Sequence, residues 1–150
     1  MLNKLLVITL VSVWPFAGMA GTKAKEPAKS LHQLQQEFVD LRFGMFIHFG
    51  LPTFQGADWT DPDLSPEVFY PARLDTDQWV RTAKSAGCKF ICISVKHHAG
   101  FCLWDTATTD YSVMHSPLHR DVLKELVKSL QKEGMQIMFH FSILDRKSVV

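Results

Sequence analysis

Three apolar runs, separated by two segments with helical spacing, most strongly limit what this chain of 150 residues can fold into. The runs are residues 43–50, 88–96 and 135–142. Their continuous apolar character predicts strands that are buried on both faces. Between them, residues 75–87 and 120–134 carry apolar side chains at helical spacing and end in Gly87 and Gly134. This order of strand, helix, strand, helix, strand predicts right-handed βαβ units and a parallel sheet of the α/β class.

Two architectures begin with this order of elements, a doubly wound sheet and a (β/α)8 barrel. No GxGxxG or GxxxxGK[ST] motif follows any of the runs, so a nucleotide-binding sheet lacks its usual motif. A further helix is predicted over residues 30–41, with Ser30 as its N-cap.

The amino terminus reads as a targeting segment rather than as part of the fold. Lys4 precedes an apolar stretch from residue 5 to residue 16, and small residues follow up to Ala20. This pattern predicts a signal peptide over residues 1–20, cleaved after Ala20, and a secreted or periplasmic protein that is not bound to a membrane after cleavage. The alternative is a retained membrane anchor, which the short apolar stretch disfavours because a span needs about 20 residues. Residues 21–29 are predicted to be a linker, and residues 30–150 the folded part.

Charge and cysteine content exclude some classes of protein. The formal net charge is +1, which gives no reason to expect nucleic acid as a partner. Cys88, Cys92 and Cys102 are an odd number of cysteines without CxxC or zinc-ribbon spacing, so we expect buried thiols.

Polar residues cluster where the predicted strands end. His48 closes the first run, His97 and His98 follow the second, and Asp58 and Trp59 lie in the first loop. Ligands of parallel α/β folds bind at the carboxyl ends of the strands, so these side chains are candidates for a binding site. The adjacent histidines can both reach one pocket only if the chain turns there, which Gly100 allows. A buried, hydrogen-bonded histidine is the alternative for His48, and His140 is predicted to lie in the core.

Several motifs in the same order resemble the amino-terminal part of the catalytic domain of retaining α-L-fucosidases. They are FGMFIHFG, the Asp58-Trp59 pair, FYPARLDTDQWVRTAKSAGCKF, KHHAGFCLW and HRDVLKELVKSLQKEG, spread from Leu31 to Asp145. The resemblance implies a partial (β/α)8 barrel comprising about the first three βα units. It implies an α-L-fucosidase whose ligand is a fucosylated oligosaccharide or glycoconjugate, without a metal or other cofactor.

The resemblance also assigns roles to residues. It implies that His48, His97, His98 and Asp58 bind the hydroxyls of the sugar, and that Trp59 offers an apolar face to its methyl group. It places the nucleophile and the acid/base beyond Val150, so no catalytic residue is expected within this chain. Two positions depart from the family pattern, because Ala99 replaces the usual aspartate after the histidine pair and Asp58 replaces the usual glutamate.

A complete barrel needs about 250 residues and eight strands, so we expect this chain to be a truncated piece, poorly soluble and inactive alone. Two alternatives remain. One is a fucose-binding protein without catalysis, and the other is a metal-dependent hydrolase that uses His48, His97 and Asp145 as ligands.

Overall fold

The computed structural model describes residues 28–61 and 63–144. In chain order its elements are α1 (Leu31–Leu41), β1 (Gly44–Ile47), α2 (Leu51–Gln55), α3 (Thr76–Ser85), β2 (Phe90–Lys96), α4 (Val122–Glu133) and β3 (Gln136–Phe141). The predicted signal peptide, most of the predicted linker and Asp145 lie outside the described residues. Within the described part, no helix is long and apolar enough to cross a membrane.

The predicted helices form, and their ends match the capping residues of the sequence. Ser30 caps α1 in a reciprocal capping box with Gln33, Asp75 caps α3, and Asp121 caps α4. Gly134 adopts a left-handed conformation with φ 66° and ends α4, as its position predicted. The short helix α2 was not predicted, because its five residues are too few to show helical periodicity.

The three strands form a parallel sheet, as predicted, and lie in the order β1-β2-β3. Helices α3 and α4 cover one face of this sheet. Val80 from α3 and Leu126 from α4 share a buried cluster with Ile91 and Ile93 of β2. The two helices are also joined by a hydrogen bond of 2.8 Å between the hydroxyls of Thr76 and Ser129.

The prediction that the outer strands are buried on both faces was wrong. Phe46 of β1 is 52% exposed and Phe139 of β3 is 55% exposed, whereas Ile91 and Ile93 of β2 are fully buried. Side chains alternate between faces along a strand, so Phe46 lies on the face opposite to the one that the helices cover. Only the central strand is flanked on both sides, and the second face of the sheet is open in the described part of the chain.

Two cysteines are buried and one is not. Cys88 and Cys102 are buried, and the Cys102 thiol donates a weak hydrogen bond to the carbonyl of Gly100. Cys92 lies on the open face and is half-buried, which raises the pKa of its thiol through desolvation. The expectation of buried thiols therefore fits Cys88 and Cys102, and Cys92 only in part.

Candidate functional site

A row of polar side chains crosses the open face at the carboxyl ends of the strands. Ser94 of β2 is in register with His140 of β3, and His48 comes directly after Ile47, which is in register with Ile93. The Ser94 Oγ lies 2.9 Å from Nδ1 of His140 and 3.5 Å from Nδ1 of His48. The rings of the two histidines are 6.0 Å apart between centroids, with the buried serine between them.

A bulge at the end of β2 brings His97 to the same face. The register between β2 and β3 shifts after Ser94, so that Lys96 rather than Val95 pairs with Phe141. Because Val95 is an extra residue in the pairing, side-chain alternation restarts and His97 points to the face of Ser94 rather than away from it. Its ring lies 5.5 Å from that of His48.

The turn after β2 brings the second histidine of the pair alongside the first. The amide of Gly100 donates to the carbonyl of His97 at 2.9 Å, and Gly100 has φ 86°, which a glycine adopts without strain. The rings of His97 and His98 are consequently 4.7 Å apart. The turn that the sequence required at this position is therefore confirmed.

The first loop folds over these histidines and contributes an indole and a carboxylate. Helix α2 ends at Gly56, which has φ 63°, and Asp58 and Trp59 follow almost at once. The ring of Trp59 stacks on His98, with centroids 4.8 Å apart and an angle of 13° between the planes. Trp59 remains 58% exposed, so much of its surface is available to a ligand.

These residues surround one cavity of about 540 Å³. Its polar lining comes from His48, Asp58, Ser94 and His97, with Trp59, Phe49 and Pro52 supplying apolar surface. Cavities of roughly 300–1,000 Å³ with mixed lining are typical of small-molecule sites. All five residues singled out from the sequence are therefore close together, four in the lining and His98 stacked on Trp59.

The surroundings of His97 favour its neutral state. Burial lowers the pKa of His97, and the neighbouring rings of His98, His48 and His140 lower it further because a second positive charge would be repelled. In His98, Nδ1–H donates to the carbonyl of Leu144 at 3.2 Å, which leaves Nε2 of the neutral ring as an acceptor. Neutral rings can both donate to and accept from hydroxyl groups.

The metal-centre alternative gains no support from the described residues. Between residues 28 and 144, leaving out residue 62, no three His, Cys, Asp or Glu side chains have a geometry suited to a metal ion. Asp145, the third ligand in that hypothesis, lies outside the described residues.

Two residues of the site, His140 and Ser94, were not predicted from the sequence. His140 was expected in the core, but it is half-buried and its ring lies 6.4 Å from that of His97. The prediction was wrong because both faces of β3 were assumed to be covered. Ser94 was not considered, although its place two residues before the end of an apolar run was a usable signal.

Comparisons with known proteins all identify the same family. A family model described as Alpha-L-fucosidase matches residues 53–149. The chain is 37% identical over 123 residues to α-L-fucosidase 1 of Arabidopsis thaliana, which covers 80% of this chain and 24% of the relative. A glycoside hydrolase 29 family member from a rumen bacterium is 36% identical with a TM-score of 0.72, over 80% of this chain and 22% of its own.

One of the similar solved structures contains a bound ligand. An α-L-fucosidase of Bacteroides thetaiotaomicron, solved as a trapped covalent intermediate in complex with 2-fluoro-fucosyl fluoride, is 32% identical with a TM-score of 0.71. It matches 84% of this chain and 33% of its own. The present chain spans about a quarter of the length of the curated relatives it matches.

Proposed function

The chain belongs to the α-L-fucosidase family, and from this premise we propose that it supplies the sugar-binding wall of a retaining α-L-fucosidase. The observation that carries this proposal is the meeting of His48, His97, Asp58 and Trp59 around one cavity at the carboxyl ends of parallel strands. The substrate we propose is a fucosylated oligosaccharide or glycoconjugate.

The chemistry of the lining matches the two kinds of surface on L-fucose. The imidazoles and the carboxylate of Asp58 suit sugar hydroxyls, which both donate and accept hydrogen bonds. The apolar surface of Trp59 suits the methyl group on C5 of L-fucose, in place of which galactose carries a hydroxymethyl group. Asp58 is one methylene shorter than the glutamate usual in the family. A sugar hydroxyl must therefore lie closer to the backbone of Asp58 to form a hydrogen bond with its carboxylate.

The catalytic carboxyl groups are proposed to come from outside these residues. The fucosidase of Bacteroides thetaiotaomicron was trapped as a covalent intermediate, and a retaining mechanism forms such an intermediate. That mechanism uses two carboxyl groups about 5–5.5 Å apart. Within the described part of the chain, Asp58 is the acidic side chain that lines the cavity. A single carboxylate cannot act as both nucleophile and acid/base, so we propose that at least one of these groups comes from outside the described residues.

The fold we infer for the whole enzyme is a (β/α)8 barrel of which β1, β2 and β3 are the first three strands. Support comes from the parallel order, the helices on one face and the polar row on the other, which would be the barrel interior. Secretion or periplasmic location is proposed from the signal-like residues 1–20.

The proposal is tested by calorimetry with L-fucose and by an assay with an aryl α-L-fucoside. We expect L-fucose to bind, and His48→Leu to weaken binding about three- to tenfold, the effect of one lost hydrogen bond. The control His32→Leu alters an exposed histidine of α1 and should leave the affinity unchanged. Turnover should not exceed that of buffer.

Each result has a distinct meaning. If no heat of binding is measured, the sugar-binding role is contradicted and an inert polypeptide is the remaining interpretation. Binding together with turnover would show that the catalytic carboxyl groups lie within this chain after all.

A further inference from the structure

The Ser94 hydroxyl occupies a position that constrains two histidines at once. It lies on the central strand between His48 and His140, its residue is 4% exposed, and it is 2.9 Å and 3.5 Å from their Nδ1 atoms. In the described part of the chain these two ring nitrogens are its hydrogen-bond partners. Water has little access to this serine, so the two rings must satisfy it.

Counting protons restricts how the three groups can pair. A serine hydroxyl has one proton to donate and two lone pairs that accept. Leaving that proton without an acceptor in a buried position would be costly, so it goes to one of the two Nδ1 atoms. The other Nδ1 then bonds to the same oxygen only by donating its own N–H.

The distances indicate which ring plays which part. The contact of 2.9 Å with His140 has an ordinary hydrogen-bond length, whereas the contact of 3.5 Å with His48 is long and weak. A buried hydroxyl proton is satisfied by the shorter contact and hardly by the longer one, so the proton of Ser94 goes to Nδ1 of His140, and Nδ1–H of His48 makes the weak contact to the Ser94 oxygen. We propose that Ser94 is a positioning residue that holds His48 and His140 in opposite tautomers.

The tautomer of each ring determines whether its Nε2 atom, on the side away from Ser94, donates or accepts a hydrogen bond. With its proton on Nδ1, His48 has an unprotonated Nε2 that accepts a hydrogen bond. With Nδ1 accepting, His140 carries its proton on Nε2 and donates. His48 lines the cavity, so on the proposed function it accepts from a sugar hydroxyl rather than donating to one. This last step rests on the proposed function, whereas the tautomers themselves do not.

The tautomers can be measured without any ligand. The full chain, labelled with 15N-histidine and kept in solution by a soluble fusion partner, is studied by long-range 1H–15N correlation. The pH is set about two units above the ordinary imidazole pKa of about 6.5, so that unprotonated rings dominate. We expect the Nδ1–H form for His48 and the Nε2–H form for His140, assigned with His48→Gln and His140→Gln. The same tautomer in both rings would overturn the proposal, whatever L-fucose does.

Variants of Ser94 test whether the hydroxyl is the cause. Ser94→Ala should return the His48 ring to a mixture of tautomers and weaken L-fucose binding about two- to tenfold. Ser94→Thr keeps the hydroxyl and should keep the tautomers. The matched control is Ser116→Ala, another buried serine, whose hydroxyl donates to the Val113 carbonyl.

The outcomes separate the two proposals. Unchanged His48 signals in Ser94→Ala would overturn the role of Ser94. Opposite tautomers in a protein that does not bind L-fucose would support the role of Ser94 and contradict the proposed function. If a variant fails to fold, the wild-type spectrum still decides.

Discussion

At the scale of single residues, Trp59 is the side chain that joins the first loop to the histidine cluster. It stacks on His98 and lies 5.9 Å from the ring of His97 while more than half of it stays exposed. Such an indole fixes the loop and offers an apolar wall at the same time. The loop position and the sugar affinity should therefore depend on the same ring.

Replacing this indole tests both roles. We expect Trp59→Ala to weaken L-fucose binding about three- to tenfold, since an aromatic contact contributes about 0.5–1.5 kcal/mol beyond its buried area. Tyr70→Ala removes another exposed aromatic side chain that does not line the cavity, and it serves as the calorimetric control. Equal losses in the two variants would count against a specific role for Trp59.

His97 gives a prediction about pH. Its pKa is lowered mainly by burial, so on acidification the unfolded chain takes up a proton before the folded one does. The unfolded state then binds more protons, and the free energy of unfolding falls as the pH drops below about 6.5 towards the lower folded pKa. Above about 6.5 this contribution is constant.

Two measurements check this. An NMR titration should give a midpoint for His97 below that of a histidine model peptide in the same buffer. Urea unfolding should show a weaker loss of stability below pH 6.5 in His97→Gln than in the wild type. A His97 midpoint at or above the peptide value would contradict the prediction.

The residues of the site were predictable only in part, and the reason lies in register. Strand ends are visible in the sequence, so His48, His97 and His98 could be placed at one rim. Which residues sit beside each other across strands depends on pairing that apolar runs do not encode. The row of His48, Ser94 and His140, and the bulge at Val95, therefore emerged only from the structure.

At the scale of elements, helices α3 and α4, which have buried faces, differ from α1, which is of similar length. Helices α3 and α4 bury apolar side chains against β2, whereas α1 has no buried residue and Leu31 is 71% exposed. Helical periodicity and capping predicted all three helices equally well. Whether an apolar helical face finds a partner depends on tertiary packing, which the periodicity of one segment does not show.

A pair of leucine substitutions measures this difference. Leu126→Ala empties a fully buried position on α4 and should lower the free energy of unfolding by about 2–5 kcal/mol. Leu31→Ala on α1 should change it by less than about 0.5 kcal/mol. Chemical denaturation gives both values, and a large loss in Leu31→Ala would show that α1 is packed in solution.

At the scale of the whole molecule, the sheet is covered on one side only in the described residues. Phe46 on the open face and Phe139 and Phe141 on β3 are each about half exposed, and both outer strands have an edge that no other strand of residues 28–61 and 63–144 pairs with. Exposed apolar surface beside open strand edges favours association between chains. We expect this chain to self-associate at micromolar to millimolar concentrations.

Light scattering coupled to size-exclusion chromatography tests this expectation. The apparent mass should rise with concentration, and Phe46→Gln together with Phe139→Gln should reduce that rise. A constant monomer mass over the whole range would show that neither Phe46 on the open face nor Phe139 on β3 promotes association.

The proposal that the imidazoles and the indole form one fucose site is tested most directly by locating the bound sugar. The chain has seven histidines, of which His48, His97, His98 and His140 cluster, while His32, His115 and His119 lie elsewhere. In a titration of 15N-histidine-labelled chain with L-fucose, we expect the ring signals of the clustered four to shift with one common affinity, and the other three to stay in place. Shifts confined to His32, His115 or His119, or no shift at any histidine, would contradict the site described above.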